Sequence, residues 1–190
     1  NGLTARKMRE RDFNICKVEI PMYERYDKAV ENNDAEELAW FAQFGSEKWE
    51  CQMITNARTY EQYLMCGYKE KPVFNEYGWL ENGNCMSLKE KTEHVQVFKD
   101  GTFNAEIMLL QHPNGKWIGT LCYSLSICGG GSYPSIWEKQ YDTRRNALNA
   151  TLDKLIGYVE SSTVQKDRKY LPLIKKMRAS TGQLSLFDDF

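Results

Sequence analysis

Apolar residues recur at helical spacing in the first third of the chain. They follow one another at intervals of four, four, three and four, which places them on one face of a helix: Trp49, Met53, Ala57, Tyr60 and Leu64. Gly67 is placed to end this helix. A shorter helix precedes it, because Asp34 and Glu37 have the spacing of a capping box and Gly45 follows as a stop. The pattern predicts a helical region over residues 1–67.

The hydrophobic period changes to that of β-strands from about Glu93. Two turn signals, Asp100-Gly101 and His112-Pro113-Asn114-Gly115, separate three runs: HVQVFK, TFNAEIMLLQ and KWIGTLCYSLSI. Turns of this kind join antiparallel neighbours, so we predict a three-stranded meander. The third run alternates between a large apolar face that includes Trp117 and Tyr123 and a smaller, partly polar face.

The segment after the meander carries an apolar stripe that can cover the sheet. Asp142 or Thr143 is placed to cap a helix whose apolar residues share one face: Leu148, Leu152, Leu155, Ile156 and Val159. Because three exposed strands are not stable alone, we predict a βββα unit over residues 93–161. Residues 68–92 are polar and rich in turn residues, which indicates a loop or domain boundary.

The predicted fold class is therefore α+β. It consists of N-terminal helices, a three-stranded antiparallel meander covered by a helix, and a flexible basic C-terminal tail over residues 162–190.

The composition is that of a globular protein. With 190 residues, 42% hydrophobic and 27% charged, the chain is long enough to bury a core, and global disorder is excluded. No run approaches the roughly 18 apolar residues of a membrane-spanning helix, and the first residues lack a secretory signal. We therefore expect a cytoplasmic protein with no membrane partner. Because the chain does not begin with Met, we allow for further residues before Asn1.

Charge is unevenly placed along a chain whose net charge is -1. Nine acidic and three basic residues lie from Glu19 to Glu50. From Val164 to Ser180 there is one acidic residue and six basic ones: Lys166, Arg168, Lys169, Lys175, Lys176 and Arg178. We predict that these six contact nucleic-acid phosphates, with salt-dependent and sequence-independent affinity, aided by the basic run at residues 6–11. The alternative is a solvated helix face or a linker kept soluble by its charge.

A five-residue motif stands near the C-terminus, after a Ser-Thr-Gly spacer. Gln183, Leu184, Ser185, Leu186 and Phe187 read QLSLF. This peptide resembles the motif by which bacterial polymerases, mismatch-repair proteins and other DNA-processing factors bind the bacterial DNA sliding clamp. The resemblance implies that Gln183 hydrogen-bonds at a pocket rim while Leu184, Leu186 and Phe187 fill an apolar groove. Burial of three large anchors suits a micromolar interaction. The alternative is an apolar segment packed on its own domain.

The middle of the chain carries a more general likeness. The stretch from GKWIGTLCYSL through GGGSYPSIWEKQYDTRRNALNATL resembles small uncharacterised domains of phage and mobile-element proteins, some of which accompany ParB-like or DNA-methylase modules, and it assigns no residue roles. The loop from Cys128 to Ser132 lacks the lysine-bearing helix of a phosphate-binding P-loop. Its glycines are instead predicted to permit a tight exit from the third strand.

No catalytic reaction is indicated. We predict both histidines, His94 and His112, at the surface. The six cysteines have no zinc-site spacing, and we predict reduced thiols, with Cys122 and Cys128 in or beside the apolar run of the third strand. The carboxylates available for a metal-dependent nuclease site do not match the spacing of any specific nuclease motif: Asp100, Glu106 and Glu138. We therefore predict no catalytic residue, no metal site and no cofactor.

These observations favour a non-enzymatic accessory protein of DNA metabolism that docks on the sliding clamp through its C-terminal peptide. Two alternatives stay open. One is a module of a larger mobile-element nuclease or methylase whose catalytic residues lie elsewhere. The other is a pure protein-interaction domain that uses the acidic helical half.

Overall fold

The computed structural model describes residues 17–83 and 88–183. Five α-helices lie wholly within these ranges, together with two short 3-10 helices and one four-stranded antiparallel sheet. The α+β class is thus confirmed. No helix in the described ranges combines the length and apolar character needed to cross a bilayer. The described residues form two compact units: residues 17–65 with 69–82, and residues 66–68 with 83 and 88–183.

The first unit is helical. Its helices are α1 (Ile20–Glu31), α2 (Ala35–Ala42), a 3-10 turn (Glu47–Trp49) and α3 (Glu50–Met65). Their apolar faces meet in a core of Met22, Tyr23, Tyr26, Phe41, Phe44, Met53, Ile54 and Ala57. This burial stabilises helices that are too short to persist alone in water.

The start of α2 follows the predicted cap in part. The Asp34 carboxylate accepts a hydrogen bond from the Glu37 amide at 3.1 Å, which satisfies one of the free N–H groups at the helix start. The Glu37 carboxylate does not return to the cap, because it pairs with Arg25 on α1. The cap is therefore present, and the reciprocal bond of a capping box is replaced by an ion pair between two helices.

The apolar face of α3 is rotated from the predicted one. Met53 and Ala57 are buried as expected, but Trp49 is 64% exposed and Leu64 is 41% exposed. Trp49 lies in the 3-10 turn, whose three residues per turn break the α-helical phase. Ile54 is fully buried on the face that the helix presents to the core.

Residues 69–82 pack on α3 and contain a single antiparallel bridge between Phe74 and Leu80. The Asn56 side chain organises this segment. Its amide nitrogen donates to the carbonyls of Phe44 at 3.0 Å and Gly78 at 2.8 Å, and its oxygen accepts from the Leu80 amide at 3.0 Å. The polar stretch predicted as a loop or boundary therefore has fixed backbone partners in the first unit.

The second unit contains the sheet. Its strands are β1 (Glu93–Asp100), β2 (Phe103–Gln111), β3 (Trp117–Ser124) and β4 (Gly129–Gly131), adjacent in that order and antiparallel throughout. The predicted meander corresponds to β1, β2 and β3, and its turns contain Gly101 and Gly115 at positive φ.

The glycine run is a fourth strand, which corrects the prediction of three. Glycine disfavours strands in isolation, but the Leu125 amide bonds to the Cys128 carbonyl at 2.7 Å and turns the chain back along β3. A Cβ on Gly131 would lie 3.0 Å from the Cys122 Sγ. Because the glycines of β4 have no side chains, they fit beside β3, where larger residues would clash.

Helix α4 (Arg144–Ser161) covers one face of the sheet as predicted. The Thr143 hydroxyl caps it by accepting a hydrogen bond from the Asn146 amide at 3.1 Å. The helix contributes Leu148, Leu152, Leu155 and Val159 to a core shared with Ile107, Leu109 and Leu121 of the strands. The other face of the sheet was predicted to be partly polar, yet Met108, Leu110, Ile118 and Thr120 are also buried there.

The described part of the predicted flexible tail is folded. A 3-10 turn (Asp167–Tyr170) leads into helix α5 (Leu171–Gln183). Tyr170 and Ile174 enter the same core as α4. Their spacing of four residues places both on one helical face, and burial of that face explains why the segment does not remain a free tail. Residues 184–190 lie outside the described ranges.

Candidate functional site

The predicted docking peptide begins at the end of α5. Gln183 is the last residue of this helix, and Leu184, Ser185, Leu186 and Phe187 lie outside the described residues. The start of α5 is fixed to the body of the second unit. The Tyr170 ring stacks on Phe98 at 4.0 Å between centroids, and its hydroxyl donates to Asp100 at 3.0 Å.

Half of the six basic residues predicted to contact nucleic acid are in ion pairs. Lys169 pairs with Asp100 at 2.6 Å, Lys175 with Glu160 at 2.7 Å and Arg178 with Asp153 at 2.8 Å. The hydrogen bond from Lys169 holds the pKa of the Asp100 carboxyl below its usual range and raises the pKa of Lys169 itself. These pairs offset the positive charge that the sequence concentrates in this segment.

The other three basic residues differ in their surroundings. Arg168 donates to the backbone carbonyl of Ser162 at 3.2 Å, and the Lys166 ammonium lies 4.7 Å from the centre of the Phe103 ring. Lys176 is exposed. No carboxylate of residues 17–83 or 88–183 forms an ion pair with these three side chains, so they are the remaining cations of the segment.

The residues considered for catalysis are not brought together. Glu106 contacts His94 at 3.0 Å, whereas Asp100 is held by Lys169. No cluster of three metal-binding side chains exists within the described ranges. Four described cysteines are free thiols, and of the pair predicted near the apolar run, Cys122 is half-buried and Cys128 is exposed.

His112 is buried, which corrects the prediction of a surface position. Only 2% of the residue is exposed, its Nδ1 lies 3.2 Å from the Tyr68 hydroxyl, and its Nε2 has no hydrogen-bond partner in the described part of the chain. Burial lowers the pKa of the imidazole because the charged form loses its hydration. The turn residues around Pro113 predicted the chain reversal correctly. They gave no information about the distant residue Tyr68, which packs on His112.

One concave site was not anticipated from the sequence. A cavity of about 280 Å³ lies at the edge of β3, and it is walled by β4, by α4 and by the segment that follows β4. Its side-chain lining includes Tyr123, Ser132, Glu138, Lys154 and Tyr158. These residues are spread over three elements, so only the folded arrangement reveals them as neighbours. The glycine run opposite Tyr123 was the single local signal of a close backbone approach.

Comparison with known proteins identifies no relative. No family model, no curated protein and no solved structure matches this chain.

Proposed function

We propose that this protein is a non-enzymatic accessory factor of DNA metabolism that docks on the bacterial DNA sliding clamp through Gln183 to Phe187. The observation that carries the proposal is the QLSLF peptide itself, which resembles the clamp-binding motif at every one of its five positions. The peptide names a partner and assigns no reaction.

The position of the peptide supports this proposal. Its first residue, Gln183, ends α5, and Ile174 of this helix is fully buried in the core of the second unit. A binding peptide joined directly to a fixed helix loses less conformational entropy on docking than one at the end of a long linker. Leu184, Leu186 and Phe187 are large apolar anchors, and each adds roughly 1.5–3 kcal/mol when it is fully buried.

Docking on the clamp would tether this protein close to DNA. A protein held on the clamp remains at a high local concentration near DNA even when its own affinity for DNA is weak. Ion pairing of Lys169, Lys175 and Arg178 agrees with a body that contributes only weak phosphate contacts.

The proposal is tested by measuring binding of the purified chain to an immobilised bacterial sliding clamp. The double substitution Leu186→Ala with Phe187→Ala removes two anchors, and we expect affinity to fall on the order of 100-fold or more. The matched control is Leu173→Ala with Phe190→Ala, which removes the same side-chain types outside the motif. Leu173 is 47% exposed, so its truncation removes little buried surface. Equal clamp binding by the two double variants would reject the proposal.

A further inference from the structure

The outer edge of β3 has a gap at Gly119 that extends to the amide of Leu121. In an antiparallel strand, alternate residues direct both backbone groups toward the same neighbour. On the outer side of β3, Trp117 exchanges two 2.8 Å hydrogen bonds with Tyr141, and the Leu121 carbonyl accepts from the Ser132 amide at 3.3 Å. Gly119 lies midway between them and therefore directs its N–H and C=O to the same edge. No hydrogen bond from the described residues reaches these two groups, although Gly119 is buried.

The cavity of about 280 Å³ occupies this gap, and Gly119 and Leu121 form part of its wall. Buried backbone groups are almost always paired with protein, water or ligand. The free amide and carbonyl of Gly119 are consequently the donor and acceptor that a bound molecule would meet. Bonding at Ser132 and at Tyr141 closes both ends of the gap, so an extended protein segment cannot run along this edge. A trans amide directs its N–H and C=O to opposite sides, so a ligand that meets both Gly119 groups needs a second donor beside its amide carbonyl. The space suits a small molecule with one amide and an adjacent ammonium group.

The remaining walls define the ligand more closely. Lys154 and Tyr158 are four residues apart on α4 and share the side of the helix that faces the cavity. Glu138 contributes an opposite charge from the segment after β4. Within the described ranges, the side chains of Lys154 and Glu138 have no hydrogen-bond or ion-pair partner, and both line the cavity. The Tyr158 ring stacks with Tyr123 at 4.9 Å between centroids, which adds an aromatic wall.

We propose that this cavity binds a short zwitterionic peptide of two residues. Lys154 pairs with the ligand carboxylate and Glu138 with its ammonium group. The Gly119 amide donates to the ligand's single amide carbonyl, and the ammonium group beside that carbonyl also donates to the Gly119 carbonyl. The Tyr123–Tyr158 pair contacts the ligand's apolar side chain. This assignment is independent of clamp docking, because none of these residues belongs to the C-terminal peptide.

The test is a titration of the ¹⁵N-labelled full chain with the dipeptide glycylphenylalanine, followed by amide chemical shifts. For a ligand of this size we expect a dissociation constant on the order of 0.1–1 mM. We expect saturable shifts of the amides of Gly119, Gly130 and Gly131. The capped analogue, N-acetylglycylphenylalanine amide, lacks both charges and should bind about tenfold or more weakly.

Single variants assign the two charges. Lys154→Gln and Glu138→Gln should each weaken glycylphenylalanine binding by about tenfold, and Lys99→Gln on β1, at the opposite edge of the sheet, is the matched control. The proposal is overturned if the wild-type Gly119 amide does not shift in a saturable way, if the capped analogue binds equally well, or if both charge variants retain wild-type affinity. The wild-type titration decides the question even if a variant fails to fold.

Discussion

At the scale of single residues, burial and hydrogen bonding together set the pKa of two buried ionisable groups. His112 lies beside a turn, and its burial lowers the pKa of the imidazole. Asp167 is fully buried at the start of the 3-10 turn before α5. Burial would raise the pKa of this carboxyl, but hydrogen bonds from Ser126 and Ser162 outweigh that effect and the net pKa is lowered. Protonation of His112 is disfavoured because the charged imidazole would lack hydration. Protonation of Asp167 is disfavoured because its carboxylate accepts hydrogen bonds from Ser126 and Ser162.

His112 makes stability depend on pH near neutrality. Its pKa in the folded chain lies below that in the unfolded chain, so the unfolded chain binds more protons as pH falls below about 6.5. We expect the free energy of unfolding to decrease from pH 7.5 to pH 5 by at most about 1.4 kcal/mol per pH unit from this group. Urea denaturation of His112→Gln, which can still bond to the Tyr68 hydroxyl, should show a smaller decrease.

The matched control for this pH effect is His94→Gln, which removes an imidazole from an exposed position. If His112→Gln retains the full pH dependence of the wild-type chain across the same range, burial of this residue is not its source.

The Asp167 carboxylate joins the end of β3 to the end of α4. Its Oδ1 accepts from the Ser126 amide at 3.1 Å and the Ser126 hydroxyl at 2.6 Å, and its Oδ2 accepts from the Ser162 hydroxyl at 2.6 Å. Asp167→Asn keeps one acceptor oxygen but replaces the other with a donor nitrogen and removes the charge from these bonds. It should therefore lower the free energy of unfolding at pH 7 by about 1–3 kcal/mol. The lowered pKa means that this stabilisation is present above about pH 4 and is lost as pH falls further.

Asp142→Asn is the control for Asp167→Asn. Asp142 pairs with Lys116 at a site where its side chain is 78% exposed, and loss of such a pair costs less than about 1 kcal/mol. Urea denaturation followed by circular dichroism compares the two variants. Equal losses would show that the buried network has no special role.

At the scale of elements, local sequence patterns predicted correctly those turns and helix ends that depend only on their own residues. The turns around Gly101 and Gly115 and the Thr143 cap were located correctly because each depends on local backbone chemistry. The fourth strand was missed because its partner strand, and not its own glycine content, makes it a strand. For the segment of α5 a helix was only the alternative to a flexible tail, because the charged residues concealed the apolar pair Tyr170, just before the helix, and Ile174 within it.

Helix α5 provides a direct comparison of two neighbouring apolar residues. Ile174 is fully buried in the core of the second unit, whereas Leu173 is 47% exposed. Ile174→Ala should reduce the free energy of unfolding by about 3 kcal/mol through lost burial and a residual cavity. Leu173→Ala should change it by less than about 1 kcal/mol. Thermal or urea unfolding measures both, and similar losses would mean that α5 does not pack as described.

At the scale of the whole molecule, the features that sequence could not supply are contacts between distant segments. Lys169 and Asp100 are 69 residues apart, and the cavity at the edge of β3 takes its walls from three elements. A local count of charge gave the segment from Val164 to Ser180 an excess of five positive charges, but partners from elsewhere reduce it. The consequence for the proposed contact with DNA is measurable.

The affinity for DNA should depend less on salt than six basic residues would require. Ion pairs occupy Lys169, Lys175 and Arg178. With each phosphate contact contributing about -0.9 to the slope of log K against log salt, three remaining cations give about -2.7 and six give about -5.4. The triple substitution Asp100→Asn, Asp153→Asn and Glu160→Gln releases the paired cations. It should strengthen duplex binding and steepen the slope toward the larger value, as measured by fluorescence anisotropy at several salt concentrations.

The control neutralises three exposed carboxylates of the first unit, Glu24, Glu31 and Glu76, and changes the net charge by the same amount. If both triple variants bind DNA with the same slope, net charge alone governs the interaction and the basic segment is not the contact surface.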